Sequence, residues 1–300
     1  MDLIPLTPSA YYLRGGANAG LIVQDGRAVL VDTGLDKDTA KQILRHIERL
    51  KVTLTGVVLT HAHADHFGGA ATVRARTGAP VYAPALEAAV VANPILEPIY
   101  LYGGAAPIID LLGKFLLAEA CPVDHLLELG DTDIGGVRVT TLRAPGHAPN
   151  QMIVAGGDVW FVADAVFSPA VAAKHVIPFY HNVTEALTTL EALTELDGGG
   201  YVAFVPGHGP AVPEIGPWAR ENRSRLLEIR AAVQAALEQA TDVAGILKVT
   251  ADRLGLAINT PVTYSLTQTT ILACLSSLQE AGQVGVRVVE NRLLWSRSPV

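Results

Sequence analysis

Residues 61–66 read His-Ala-His-Ala-Asp-His, placing His61, His63, Asp65 and His66 within six positions. Histidine makes up only nine of the 300 residues, so three in one hexapeptide point to a use for their imidazoles. Neutral imidazole is a borderline-soft donor that suits zinc, and also iron or nickel; a carboxylate beside it adds a harder oxygen donor. A metal centre is the chemistry this cluster can do.

One loop does not complete such a centre. Three further donors each follow an apolar run: His147 in Ala144-Pro145-Gly146-His147, Asp164 in Phe161-Val162-Ala163-Asp164, and His208 in Val205-Pro206-Gly207-His208-Gly209. A glycine before each of these two histidines lets the backbone turn tightly and approach a ligand closely. His147 or His208 alone reads as an ordinary loop or core histidine. Beside the hexapeptide they form a constellation, because open α/β sheets place ligand sites at the carboxyl ends of strands.

The elements that must position them follow from periodicity. Ala19–Val23 and Ala28–Val31 are apolar runs joined by Gln24-Asp25-Gly26-Arg27, a hairpin signal. The second run ends at Asp32-Thr33-Gly34. Residues 37–50 put Ile43, Leu44, Ile47 and Leu50 on one helical face, with Asp36 or Asp38 as cap. Thr55–Thr60 is a buried-strand run that leads into the hexapeptide. Val137–Leu142, Met152–Ala155, Val159–Val162 and Tyr201–Val205 read as strands, and 183–196 as a helix. Residues 84–121 form a long apolar, helix-like insertion, either a lid, a lipid-tail pocket, a dimer interface or a hairpin completing the core. Helices are predicted over 217–239, 242–254 and 264–281, followed by a hairpin of Gly285–Val289 and Leu293–Ser296. Interleaved strands and helices make this an α/β layered domain.

The five blocks Asp32-Thr33-Gly34, His61-x-His63-x-Asp65-His66, Gly146-His147, Ala163-Asp164 and Pro206-Gly207-His208-Gly209 resemble, in order and spacing, the motifs of the metallo-β-lactamase superfamily over roughly residues 10–215. The resemblance implies a four-layer αββα sandwich (residues 1–215, with the insertion at 84–121), and the helices followed by a terminal hairpin suggest a small C-terminal helical, winged-helix-like domain (216–300). It implies that His61, His63 and His147 hold one metal, that Asp65, His66 and His208 hold a second, and that Asp164 bridges them. Asp32 would brace the ligand loop, as carboxylates beside metal-bound imidazoles do. Asp65 and Asp164 would be the catalytic carboxylates. Lys174, His175, Tyr180 and His181, in the loop after Asp164, form a polar-aromatic group that could meet the substrate.

Such a site performs hydrolysis. Two divalent ions about 3.5–4 Å apart lower the pKa of a shared water to near neutrality and supply a hydroxide nucleophile. Zinc is the first expectation, with iron or manganese as alternatives. The cysteine-ligand β-lactamase branch is excluded, because Asp164 stands at the bridging position and neither Cys121 nor Cys274 falls in a motif. Glyoxalase II-like thioesterases and lactonases share the seven-ligand set, although Ala148-Pro149-Asn150-Gln151 departs from their second histidine. The expected reaction is cleavage of a small-molecule ester, thioester or lactone. The alternative is a phosphodiesterase or endoribonuclease, since residues 264–296 resemble the winged-helix tail of β-lactamase-like endoribonucleases.

Composition weighs on that choice. Half of the chain is hydrophobic and 17% is charged, which predicts a packed core. The net charge is −7 and is uneven. Residues 216–300 carry nine Lys and Arg against seven Asp and Glu, whereas the first 215 carry thirteen against twenty-two. An acidic body and a barely basic tail disfavour nucleic acid as partner. The expected partner is a small molecule, with self-association through the insertion as a further expectation. Two cysteines build no disulfide framework, no apolar run reaches membrane-spanning length, and the N-terminus lacks a secretory pattern, so a cytoplasmic protein away from the membrane is expected.

Overall fold

The computed structural model describes residues 1–238 and 241–298. Position 239 of the predicted 217–239 helix and the last two residues of the predicted C-terminal domain lie outside the described residues.

Seven strands form the first sheet in sequential order: β1 Asp2–Thr7, β2 Ala10–Arg14, β3 Ala19–Gln24, β4 Arg27–Val31, β5 Thr53–Val58, β6 Val81–Ala83 and β7 His125–Leu126. β1 to β4 are antiparallel neighbours, and β4 to β7 pair in parallel. The predicted β3–β4 hairpin closes through Asp25 and Gly26, both at positive φ, with Gln24 opposite Arg27. The second sheet runs β12-β11-β10-β9-β8, from β8 Gly130–Ile134, β9 Val137–Arg143, β10 Met152–Gly156, β11 Val159–Ala163 and β12 Ala203–Pro206. β11 and β12 pair in parallel, so Asp164 and His208 emerge from the same edge of adjacent strands.

The alternation of each strand builds the layers. Tyr12, Ile22, Val29, Val31 and Val58 of the first sheet face Val139, Met152, Val154, Phe161 and Val205 of the second, forming the core between the sheets. The opposite faces bury Leu21 and Leu30 under α1 (Lys37–Leu50), with α2 (Ala64–Phe67), α3 (Ala70–Thr77) and α4 (Ala85–Ala92) contributing to the same core; α5 (Leu96–Leu101) follows in the chain. α1 spans the predicted residues, and its cap is Asp36, whose carboxylate accepts from the N–H groups of Asp38 and Thr39. On the other side, α6 (Pro169–Lys174), α7 (Val183–Thr194) and α8 (Gly216–Ala235) adjoin Ile153, Trp160 and Phe204 of the second sheet. The result is the expected αββα order.

The predicted helical insertion at 84–121 is helical only in part. α4 and α5 are short, a single 3₁₀ turn covers Ile109–Leu112, and residues 113–124 have no regular structure. Pro94, the glycine pair Gly103-Gly104 at positive φ, and Pro107 interrupt the helix pattern that apolar composition suggested.

At the C-terminus, α8 is followed by α9 (Val243–Leu254), α10 (Pro261–Glu280) and the hairpin of β13 (Val284–Val289) and β14 (Arg292–Arg297). Thr241 bridges to Trp295 of the hairpin, so the order is helix, bridge, helix, helix, wing. These elements do not stand apart. Leu226, Ile246, Ile271, Leu278 and Trp295 belong to the same continuous core as Trp160 and Leu190. Among the described residues, no helix is long and apolar enough to cross a membrane.

Candidate metal centre

The hexapeptide leaves β5 as extended chain and turns into α2, which projects His61, His63, Asp65 and His66 into one cleft. The loops after β9, β11 and β12 bring His147, Asp164 and His208 to the same place. Three overlapping groups result, with ligand atoms within 4.8 Å of one another in each: His61, His63 and His147; His61, His66 and Asp164; Asp65, His66 and His208.

The outer nitrogens of these rings are fixed by acceptors, which settles their tautomers. His66 Nδ1 lies 2.8 Å from Asp32 Oδ2, His147 Nδ1 lies 3.0 Å from the carbonyl of Phe179, and His208 Nδ1 lies 2.6 Å from the carbonyl of Gly16. Carboxylate and carbonyl oxygens only accept, so each Nδ1 carries a proton and each Nε2 faces inward. Thr60 donates its hydroxyl to Asp32 Oδ2 at 2.8 Å and therefore accepts from His61 Nδ1 at 3.0 Å. Asp32 thus orients both His61 and His66, while its Oδ1 accepts from the Thr60 N–H at 2.8 Å.

Inside this ring of donors, His147 Nε2 and His63 Nδ1 meet at 2.8 Å. Asp164 Oδ1 is 3.5 Å from His66 Nε2, and Asp164 Oδ2 is 3.5 Å from both His147 Nε2 and His208 Nε2. His208 Nε2 is also 3.2 Å from Asp65 Oδ2. His61 Nε2, His66 Nε2 and Asp164 Oδ1 are buried without any hydrogen bond. Orphaned polar atoms of this kind are costly unless something satisfies them, and a cation at their common focus does so.

The electrostatics agree. Burial, reinforced by the neighbouring imidazoles, pushes His61 well below the ordinary histidine value and His63 down to about 3, which leaves both as neutral donors. Burial acts in the same direction on His66 and His208, yet Asp164 with the other carboxylates overrides it, holding His66 well above its ordinary value and His208 at about 10. Burial alone would raise Asp65, but His66 and His208 outweigh it and hold the carboxyl at about 2. Negative potential at the centre is what favours positive charge there, whether protons or metal ions.

Backbone strain marks two of the contributing loops. Asp32 and Ala163 sit at φ 59 and φ 46, a region that non-glycine residues seldom occupy away from functional sites. Gly207 is the close-approach case: a Cβ there would lie 1.9 Å from Asp164 Oδ1. Gly146 is the turn case, with φ 126 and the backbone of Ala186 pressed against it.

The family model of the metallo-beta-lactamase superfamily matches residues 12–211, two thirds of the chain. This chain belongs to that superfamily. A probable metallo-hydrolase of Bacillus subtilis (strain 168) is 29% identical over 198 residues, covering 65% of this chain and 85% of the relative. A hydroxyacylglutathione hydrolase of Serratia proteamaculans (strain 568) is 29% identical over 147 residues, 48% of this chain and 45% of that protein, so the match spans less than half the length of either. Among solved structures, a metallo-beta-lactamase family protein from Thermus thermophilus superposes with TM-score 0.73 at 20% identity, over 98% of this chain and 100% of that one. A beta-lactamase domain protein from Burkholderia ambifaria gives 0.75 at 18%, over 99% and 94%. At these identities the structural likeness concerns the fold, and it extends through the C-terminal helices.

Within this metallo-beta-lactamase site, the structure distributes the other sequence-predicted residues unevenly. Lys174 and His175 end α6 and are exposed. Partial burial and the nearby cations Lys174 and His208 lower His175, which puts it on the His208 side. His181 is exposed ahead of α7, and its N–H donates to the Gly146 carbonyl. Tyr180 is 3% exposed and packs in the core against Phe167, not at the cleft surface.

Three residues outside the sequence expectation shape the cleft. The Phe179 ring centroid is 5.4 Å from that of His63 and 5.6 Å from that of His147. Glu87 of α4, 2% exposed, accepts from the Ala62 N–H at 2.9 Å and the Asn150 N–H at 2.7 Å, tying two ligand loops together. Asn18 donates to the carbonyls of Pro206 and Gly209 and braces the loop that carries His208. Only Glu87 left a signal in the sequence, as a lone acid in the apolar run Ala85–Ala92.

Proposed function

We propose that this superfamily member is a two-metal hydrolase of a small-molecule ester, thioester or lactone, with zinc as the resident ion. The observation that carries the reading is the position of Asp164, within 3.5 Å of three imidazoles delivered by three separate loops. His61, His63 and His147 would hold one ion, Asp65, His66 and His208 the other, and Asp164 both. When bound, two divalent cations supply Lewis acidity, lowering the pKa of water and drawing charge from the scissile oxygen.

The protein's own part is positioning. Side-chain exposure falls from 30% at Asp65 and 24% at His208 to 8% at Asp164 and zero at His66, so substrate and water enter from the Asp65–His208 side. Asp65 accepts a hydrogen bond from the attacking water and Asp164 orients it from below. The water oxygen bonds to the carbonyl carbon, the bond to the alkoxide or thiolate breaks, and the water's proton ends on the departing oxygen or sulfur. Asp32, through His66, Thr60 and His61, keeps the imidazoles in register throughout.

The likeness to a probable metallo-hydrolase and to part of a hydroxyacylglutathione hydrolase supports the carbonyl-ester class. The test is metal analysis of the purified protein joined to a panel of ester, thioester, lactone, phosphodiester and RNA substrates. Cleavage within the first three classes is expected, and His63→Ala should lose metal together with most of the activity, since it removes a donor from the reacting centre. A His63→Ala protein that still turns over normally would end the reading.

A further inference from the structure

The chain that leaves Asp164 passes the His147 ring twice, at Phe167 and again at Phe179, each with its ring centroid 5.6 Å from that of the histidine. The C-terminal helices hold it at both passes. At the first, the buried amide of Asn222 on α8 pairs with Phe167 as a neighbouring strand would. Its Oδ1 accepts from the Phe167 N–H at 2.9 Å, and its Nδ2 donates to the Phe167 carbonyl at 2.8 Å. At the second, the buried hydroxyl of Thr270 on α10 brackets Phe179: it donates to the Pro178 carbonyl and accepts from the Tyr180 N–H, both at 3.0 Å. Between the two passes α6 buries no residue, and Arg225 adds one hydrogen bond to the Val176 carbonyl at 2.8 Å.

The Phe179 carbonyl is what the His147 Nδ1–H donates to, at 3.0 Å. A ligand imidazole is aimed by the partner of its other nitrogen, and here that partner belongs to a peptide whose two neighbours are both tied to Thr270. The contact is not the usual one for a threonine inside a helix. Thr269, next to it, returns its hydroxyl to the carbonyl of Ser265 in its own helix, at 3.1 Å. Thr270 leaves the helix, and its partners lie 90 and 92 residues away in the chain. α8 and α10 share one core through Leu226, Ile229, Ile271 and Cys274, so both grips stand on the same packed base.

We propose that Thr270 is a positioning residue of the metal centre: it fixes the Phe179 carbonyl, and through it the His147 ring, so that the C-terminal helices are a working part of the site. This assignment rests on the two-ion ligand set of the hydrolase reading and deepens it.

The stepwise zinc affinities of the full-length protein, measured in competition with a chromophoric chelator, test it. His147→Ala and His208→Ala identify which step belongs to which ligand group. Thr270→Val removes the hydroxyl with little change of shape. It should weaken the His147 step about 10–100-fold, the range for lost partners of metal ligands, and leave the His208 step near wild type. Thr270→Ser keeps the hydroxyl and should restore most of the loss. Should Thr270→Val not fold, Thr270→Cys, whose thiol is a weak donor and acceptor, takes its place with the same expected direction. A His147 step of wild-type affinity overturns the assignment. So does a loss spread equally over both steps, or one that serine does not restore. Failure of the ester, thioester and lactone panel bears only on the substrate reading, because ion affinity is read without turnover; a wild-type protein that binds no zinc removes both.

Discussion

Glu87 shows how a single side chain can govern a metal site it does not enter. Its two oxygens accept from the N–H groups of Ala62, between two ligand histidines, and of Asn150, three residues past a third. Burial raises the carboxyl's pKa, and the same two N–H groups pull it back. Removing the carboxylate leaves two buried donors unpaired, at about 1–3 kcal/mol each, and frees the loops to separate. Glu87→Ala is therefore expected to lower metal affinity about 10–100-fold, the range seen when groups supporting metal ligands are lost, and to lower the melting temperature. Glu87→Gln keeps one carbonyl oxygen and should recover part of the affinity. Chelator-competition titration measures this directly; Glu87→Ala with wild-type affinity would show that the loops hold their register without it. Asp32 works on the same principle from the opposite side, through Thr60 and two imidazoles.

At the scale of elements, the strands and helices that carry ligands were legible because each has one strong period and a clear stop. α1 is the plainest case: an apolar stripe with Asp36 at its N-cap. The Thr39 N–H, opposed by slight burial, holds the Asp36 carboxyl below the ordinary carboxylate range. A folded pKa below the unfolded one stabilises the fold at pH values above the unfolded pKa, and the contribution is lost as pH falls through the folded value. Asp36→Ala should cost about 1 kcal/mol at pH 7, and the gap from wild type should close in acid below the ordinary carboxylate pKa. Urea denaturation at pH 7 and near pH 3 checks it; a gap that persists unchanged in acid would point to lost packing in place of lost capping. Elements that were not legible lack such local signals. β1 has no buried position and β2 does not alternate strictly; β6 and β7 are three and two residues long and exist only because neighbours pair with them. The insertion misled for the opposite reason: its apolar composition reads as helix, while its prolines and glycines break it. Likewise the seven donors were visible as residue types after strands, but Phe179 and Asn18 act through position alone, which no spacing encodes.

For the whole molecule, charge and packing bear on the proposed choice of a small substrate over a nucleic acid. The C-terminal order of helices and wing is one that in other settings presents its last helix to a groove. Here α10 buries nine of its residues, including Ile271, Cys274 and Leu278, against the other C-terminal elements and α7. It carries no Lys or Arg, and Glu280 is its one charged residue. A helix that is buried and lacks cations cannot neutralise phosphates, and the body it joins is acidic. Counterion release, the main source of affinity for a polyanion, is then small, because few phosphates are contacted. Fluorescence anisotropy with a labelled single-stranded RNA at about 150 mM salt should show no saturable binding below about 10 μM, within the range of weak non-specific association. Lowering the salt should shift the binding by a log–log slope shallower than about −2, the slope expected from two or so ion contacts. Submicromolar binding with a slope of about −4 or steeper would mean that a basic surface assembles from the scattered arginines of α8 and the wing, and the endoribonuclease reading would then displace the ester hydrolase.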